Sequence, residues 1–213
     1  MINAFPHDFD ALEPLLEMAA ELNATQVNII GGVMPLTAHE ALSLIKGWLN
    51  IADGFSFPVF FETHRNSILN DLFFTLEVLK MIPDLRLCAD LSHFVLDREL
   101  QIPLSSADAN HFSQIIERSD SFQGRVSSNQ QIQIALGFSQ NKPWVEQFLS
   151  WWREGFETLS SRNSDEATLR FLVELGPPLY AITDAMQREL SDRWAESILI
   201  SGWIRAIWSE LMN

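Results

Sequence analysis

Three features of the sequence predict an α/β fold of the (β/α)-barrel type. Short, continuously apolar runs alternate with longer segments whose apolar residues recur every three to four positions. Those runs show no in–out alternation, so the strands they form should be covered on both faces, as in a parallel sheet. Several of them end at an acid, and the C-terminal ends of barrel strands are where active-site loops gather.

The elements follow in order. Residues 2–5 read as a first strand. Asp10 is placed to cap a helix that carries Leu12, Leu15, Leu16, Ala19 and Leu22 on one face. The β-like run 26–30 is closed by Gly31 and Gly32. Thr37 and Glu40 have capping-box spacing, and Ala41, Leu44, Ile45, Trp48 and Leu49 continue an apolar stripe behind them. The run 58–61 leads into Glu62, a helix over 69–81 is stopped by Pro83, and the run 85–89 leads into Asp90. In the second half, 108–118 reads as a helix, 121–126 as a short strand and the alternating stretch 131–136 as another. Pro143 opens a Trp-rich helix, 169–173 is a strand ending in Glu174, and Gly176, Pro177 and Pro178 forbid a helix directly after it. Ser191 starts the last helix.

Six or seven strands result, according to whether residues 2–5 are counted. A closed eight-stranded barrel takes about 250 residues, so 213 residues suit a single domain, residues 1–213, that lacks the first β/α unit.

Composition narrows the function. Hydrophobic residues make up 47% and charged ones 20%, as in ordinary globular proteins. Fourteen basic against 28 acidic residues give a net charge of −14, which disfavours nucleic acid as a partner and favours a small molecule. The single cysteine, Cys88, lies in an apolar run and reads as a buried thiol; no internal disulfide or zinc–thiolate cluster can form. The first residues lack a basic, apolar leader pattern, and no run approaches the roughly 20 apolar residues of a membrane span. A cytoplasmic location and no membrane partner are expected.

Glu62, Asp90 and Glu174 each end an apolar run. One such acid alone would read as a cap for the next helix, where negative charge is favoured. Three in register would converge at one barrel mouth, and converging carboxylates raise one another's pKa unless a cation joins them. A hard divalent ion with oxygen ligands is the natural resident. His64 and Arg65 follow the first acid and His93 follows the second, supplying a base and a cation where a substrate would lie. His7, His39 and His111 stand outside this pattern. The tryptophans at 144, 151, 152, 194, 203 and 208 have helical spacing and read as packing residues.

Four segments together resemble the xylose isomerase-like TIM barrels, a superfamily of sugar and sugar-phosphate isomerases and epimerases. They are Phe61-Glu62-Thr63-His64-Arg65, Cys88-Ala89-Asp90-Leu91-Ser92-His93, Asp120-Ser121-Phe122-Gln123-Gly124-Arg125-Val126 and Glu174-Leu175-Gly176-Pro177-Pro178. The resemblance runs from about residue 8 to the C-terminus. It implies a divalent metal held by Glu62, Asp90, Gln123 and Glu174, where Gln123 stands at a position the family fills with histidine. An all-oxygen set of this kind favours Mg²⁺ or Mn²⁺ over Zn²⁺. It further implies that Glu62 and Glu174 exchange a carbon-bound proton through an enediolate, with His64, Arg65, His93 and Arg125 binding the sugar-like substrate. A barrel short of one unit exposes apolar surface, so a homo-oligomer is expected. The Gln123 departure and the short N-terminus also fit a catalytically degenerate barrel that binds a ligand or protein partner. An endonuclease on the same fold is disfavoured by the −14 charge.

Overall fold

The computed structural model describes residues 1–163 and 167–212. The chain divides into two compact units, Met1–Cys88 and Ala89–Asn213. Both are α/β, and among the described residues there are six strands, with every recorded pairing parallel.

In the first unit β1 (Ile2–Ala4), β2 (Val27–Ile29), β3 (Val59–Glu62) and the start of β4 (Leu87–Ala89) pair in chain order. The helices α1 (Leu12–Glu21), α2 (Ala38–Ala52) and α3 (Leu72–Met81) connect them, which is the repeating crossover that parallel strands require. All of β2 is buried, and it includes a polar residue. Asn28 satisfies itself by accepting from Gln26 Nε2 at 2.9 Å and donating to Asn3 Oδ1 at 3.2 Å. Trp48 of α2 lies 6.1 Å from the Phe61 ring and donates its indole N–H to the Phe9 carbonyl. A Cβ on Gly31 would come within 2.6 Å of that indole, so the glycine closing β2 is what lets α2 pack down.

Helix starts follow local chemistry. Thr37 accepts from the Glu40 N–H at 3.2 Å as the spacing predicts, while Glu40 reaches back to the Leu36 N–H rather than to Thr37. The first cap differs from expectation. Ala11 occupies the N-cap of α1, and Asp8 rather than Asp10 binds its N–H, because the turn over 8–11 brings Asp8 three residues back into reach.

The second unit contains α4 (Leu91–Asp97), α5 (Ser106–Ile116), β5 (Ser119–Gln123), α6 (Lys142–Asn163), β6 (Phe171–Leu172) and α7 (Arg193–Leu211). Its core is aromatic. Phe112 stacks on Trp151 at 4.5 Å, and Phe171 of β6 meets Trp152 and Phe156 edge-on at 5.2 and 6.1 Å. Trp151 and Trp152 are thus packing residues, as their spacing predicts. A Cβ on Gly155 would lie 2.5 Å from Phe122, so α6 can approach β5 only with glycine there.

Four expectations shift in this unit. The strand expected over 121–126 runs Ser119–Gln123, and the one expected over 169–173 shortens to Phe171–Leu172. The alternating stretch 131–136 forms no strand. Its backbone makes single bonds, Ser128 N–H to Gln131 C=O and Ile134 N–H to Val126 C=O, while the Gln133 amide accepts from Gly176 N–H at 2.7 Å and donates to Gly176 C=O at 3.0 Å. The last helix is capped by Asp192 rather than Ser191, since the carboxylate accepts from the N–H groups of Trp194 and Ala195. Among the described residues no helix is long and apolar enough to cross a membrane.

Candidate functional site

The second unit gathers Asp90, His93, Gln123, Arg125 and Glu174 from the ends of its strands and the turns after them. Asp90 follows β4 and is fully buried. It is the N-cap of α4: Oδ1 accepts from the Ser92 N–H at 3.0 Å and from the Ser92 hydroxyl. The capping role foreseen for a lone acid is therefore real, and it occupies one oxygen only. Oδ2 faces His93 Nε2 and Arg125 Nε, each at 3.4 Å. Burial pushes the Asp90 carboxyl up, but the neighbouring His93, the Arg125 guanidinium and the bonds from His93 and Ser92 outweigh it. The group is held well below the usual carboxylate range.

His93 is buried one helical turn beyond Asp90 because both belong to the first turn of α4. Gln123, the last residue of β5, is also buried and stands opposite Leu172 in the parallel register. Gly124 comes next for a steric reason: a Cβ there would sit 2.4 Å from the Phe171 ring. That close approach of β6 carries the chain to Arg125, whose side chain is only 2% exposed.

Arg125 Nη2 lies 2.9 Å from Glu174 Oε1, and its guanidinium carbon lies 4.8 Å above the centre of the Tyr180 ring. The sequence reading assigned Arg125 to substrate; the structure has it bonded to two carboxylates. Glu174 stands two residues past β6 with its side chain 35% exposed. Its Oε2 is buried and has no hydrogen-bond partner among the described residues. Burial and the nearby Asp90 charge raise the Glu174 pKa, and Arg125 offsets this only in part. Two neighbouring carboxylates are thereby driven apart, one strongly acidic and one more basic than usual.

Three residues that the sequence reading did not single out fix this geometry. Gln133 clamps Gly176, two positions beyond Glu174. Arg193 donates to the Leu175 carbonyl at 3.0 Å while paired in two places with Glu189. Tyr180, the single tyrosine of the chain, is held over Arg125 by its N–H bond to the Pro177 carbonyl. A lone tyrosine beside a Gly-Pro-Pro turn was the only signal available for it.

In the first unit Glu62 is the last residue of β3, is buried and stands in register with Cys88. Cys88 is buried, as expected, and forms no disulfide. His64 is half-buried, and its Nδ1 accepts from the Asn66 N–H at 3.1 Å, which ties the ring into its own turn. Arg65 is exposed.

Asp90 and Glu174 each offer a carboxylate oxygen, and these lie within 4.8 Å of one another. Carboxylate oxygens of this kind, with the buried Gln123 able to offer an amide oxygen, are hard donors such as a divalent ion takes. Compared with protein-family models and with curated proteins, the chain matches none.

Proposed function

We propose that the chain is a metal-dependent sugar or sugar-phosphate isomerase or epimerase, built on a partial TIM-type barrel. The observation that carries the reading is the state of Glu174. One oxygen is steadied by Arg125, the other is buried without a partner, and the pKa is raised. A carboxylate so placed is more basic than a solvated one and is oriented by its second oxygen, as a general base needs to be.

Asp90, Gln123 and Glu174 would hold the ion, and the sequence pattern adds Glu62. When bound, a divalent ion supplies polarisation of the carbonyl and hydroxyl oxygens of an α-hydroxy-ketone or aldehyde. Glu174 would remove the proton from the carbon beside the carbonyl, taking it on Oε2, and would return it from there. Asp90 stays ionised throughout, because His93 and Arg125 stabilise its charge. Gln123 has no proton to exchange and serves through its amide oxygen alone.

The test is solvent deuterium incorporation, followed by NMR, for a panel of ketoses, aldoses and their phosphates with Mn²⁺ present. Exchange at the carbon next to the carbonyl, lost in Glu174→Gln, supports the reading. No exchange with any member of the panel would contradict it. A second reading is a ligand-binding barrel without catalysis, favoured by one observation: Arg125 already neutralises both acids. Metal binding without exchange would support that reading.

A further inference from the structure

Arg125 stands where a cation is wanted. Its Nη2 binds Glu174 Oε1 at 2.9 Å, its Nε lies 3.4 Å from Asp90 Oδ2, and Tyr180 covers its face at 4.8 Å. A Mg²⁺ or Mn²⁺ ion requires carboxylate oxygens at about 2.0–2.2 Å. An ion shared by Asp90 and Glu174 would take the lone pairs that the guanidinium now uses and would sit beside a like charge. Arg125 cannot simply be left behind, because its side chain is 2% exposed and a buried charge without a counter-ion is strongly unfavourable. It needs another anion. The planar fork of a guanidinium selects one with two oxygens side by side, a phosphate or a carboxylate.

We infer that Arg125 is an exchangeable counter-cation: it neutralises Asp90 and Glu174 until a divalent ion takes them over, and it then turns to an anionic group of the ligand. Metal and anionic ligand therefore bind strongly together and weakly apart, and the ligand is a phosphorylated or acidic sugar rather than a neutral one. The inference rests on the metal-dependent reading above.

The experiment is calorimetric titration of Mn²⁺ into chelator-treated protein, with and without sulfate as the anion probe. In the wild-type chain sulfate should tighten Mn²⁺ by about tenfold, the ordinary size of a coupling between two sites. Arg125→Gln should bind Mn²⁺ more tightly than wild type without sulfate and should show no sulfate effect. Because Arg125→Gln unpairs a buried acid and could fail to fold, Tyr180→Ala provides a second arm. It keeps the charge but removes the stacked ring, and should tighten Mn²⁺ about two- to fivefold without sulfate. Mn²⁺ binding that is indifferent to sulfate and to both substitutions overturns the inference and leaves the metal-dependent reading standing. Failure of every form to bind a divalent ion, with or without sulfate, overturns both.

Discussion

Asp90→Asn tests whether the buried carboxylate is held by its charge or by its cap. Asparagine caps a helix about as well as aspartate, so the bond from the Ser92 N–H at 3.0 Å should survive. What is lost is the negative charge facing His93 and Arg125, both at 3.4 Å and both buried. Removing one partner of a buried ion pair costs about 3–5 kcal/mol, because the remaining charge is left without compensation. Arg125 keeps Glu174 at 2.9 Å, which places the loss at the lower end, about 3 kcal/mol. For a chain of 213 residues that is a fall in Tm of roughly 6–12 °C. Urea unfolding followed by tryptophan fluorescence at pH 7 gives the number directly. A variant within about 1 kcal/mol of wild type would show that Asp90 acts only as a cap, and the electrostatic account of the cluster would fail.

Glu174 should behave in the opposite sense. Its folded pKa is raised, so its stabilising contribution is present below the unfolded value of 4.5 and is lost as pH rises through the folded pKa. Glu174→Gln should therefore be at least as stable as wild type at pH 7, and a destabilised variant in thermal melts would refute this. Asp90, with a depressed folded pKa, contributes stability above the unfolded value of 3.8 that is lost as pH falls below it. The acid limb of the wild-type stability curve should accordingly flatten in Asp90→Asn, as read by urea titrations from about pH 5 down to about pH 2. Gln133→Ala removes two hydrogen bonds to Gly176 and should cost about 1–3 kcal/mol, against a loss near zero if water replaces the amide. Self-association is checked by light scattering at micromolar concentration. A dimer or larger species is expected, with Trp194→Glu, at a position 76% exposed on α7, shifting it toward monomer; a monomer throughout would refute the expectation.

The sequence conveyed the α/β class because its strands are apolar on both faces and its helices carry one apolar stripe, and both patterns follow from burial alone. Thr37 and Glu40 marked the start of α2 because capping is local chemistry. Stretch 131–136 alternates polar and apolar residues without forming a strand, and residues 133–136 are buried in succession; its Gln133 bonds a residue 43 positions away, a pairing that no local spacing encodes. Asp90 and Glu174 were legible as a pair because each follows an apolar run. Arg125 was legible as a site residue, but its pairing with Asp90 and Glu174 was not. Whether a guanidinium points to substrate or to carboxylates depends on where β6 and the Tyr180 turn lie, and no local spacing encodes that. Gly124 is a related case, a glycine whose necessity appears only when the Phe171 ring is seen against it.

The central claim is that these carboxylates hold a divalent ion, and calorimetric titration of Mn²⁺ into three chelator-treated forms tests it most directly. The wild type should bind one ion. Gln123→His should bind it more tightly, because imidazole is a better donor to Mn²⁺ than an amide oxygen. Glu174→Gln should lose binding with the carboxylate charge. If neither wild type nor Gln123→His takes up a divalent ion at millimolar concentration, the metal-dependent account is wrong.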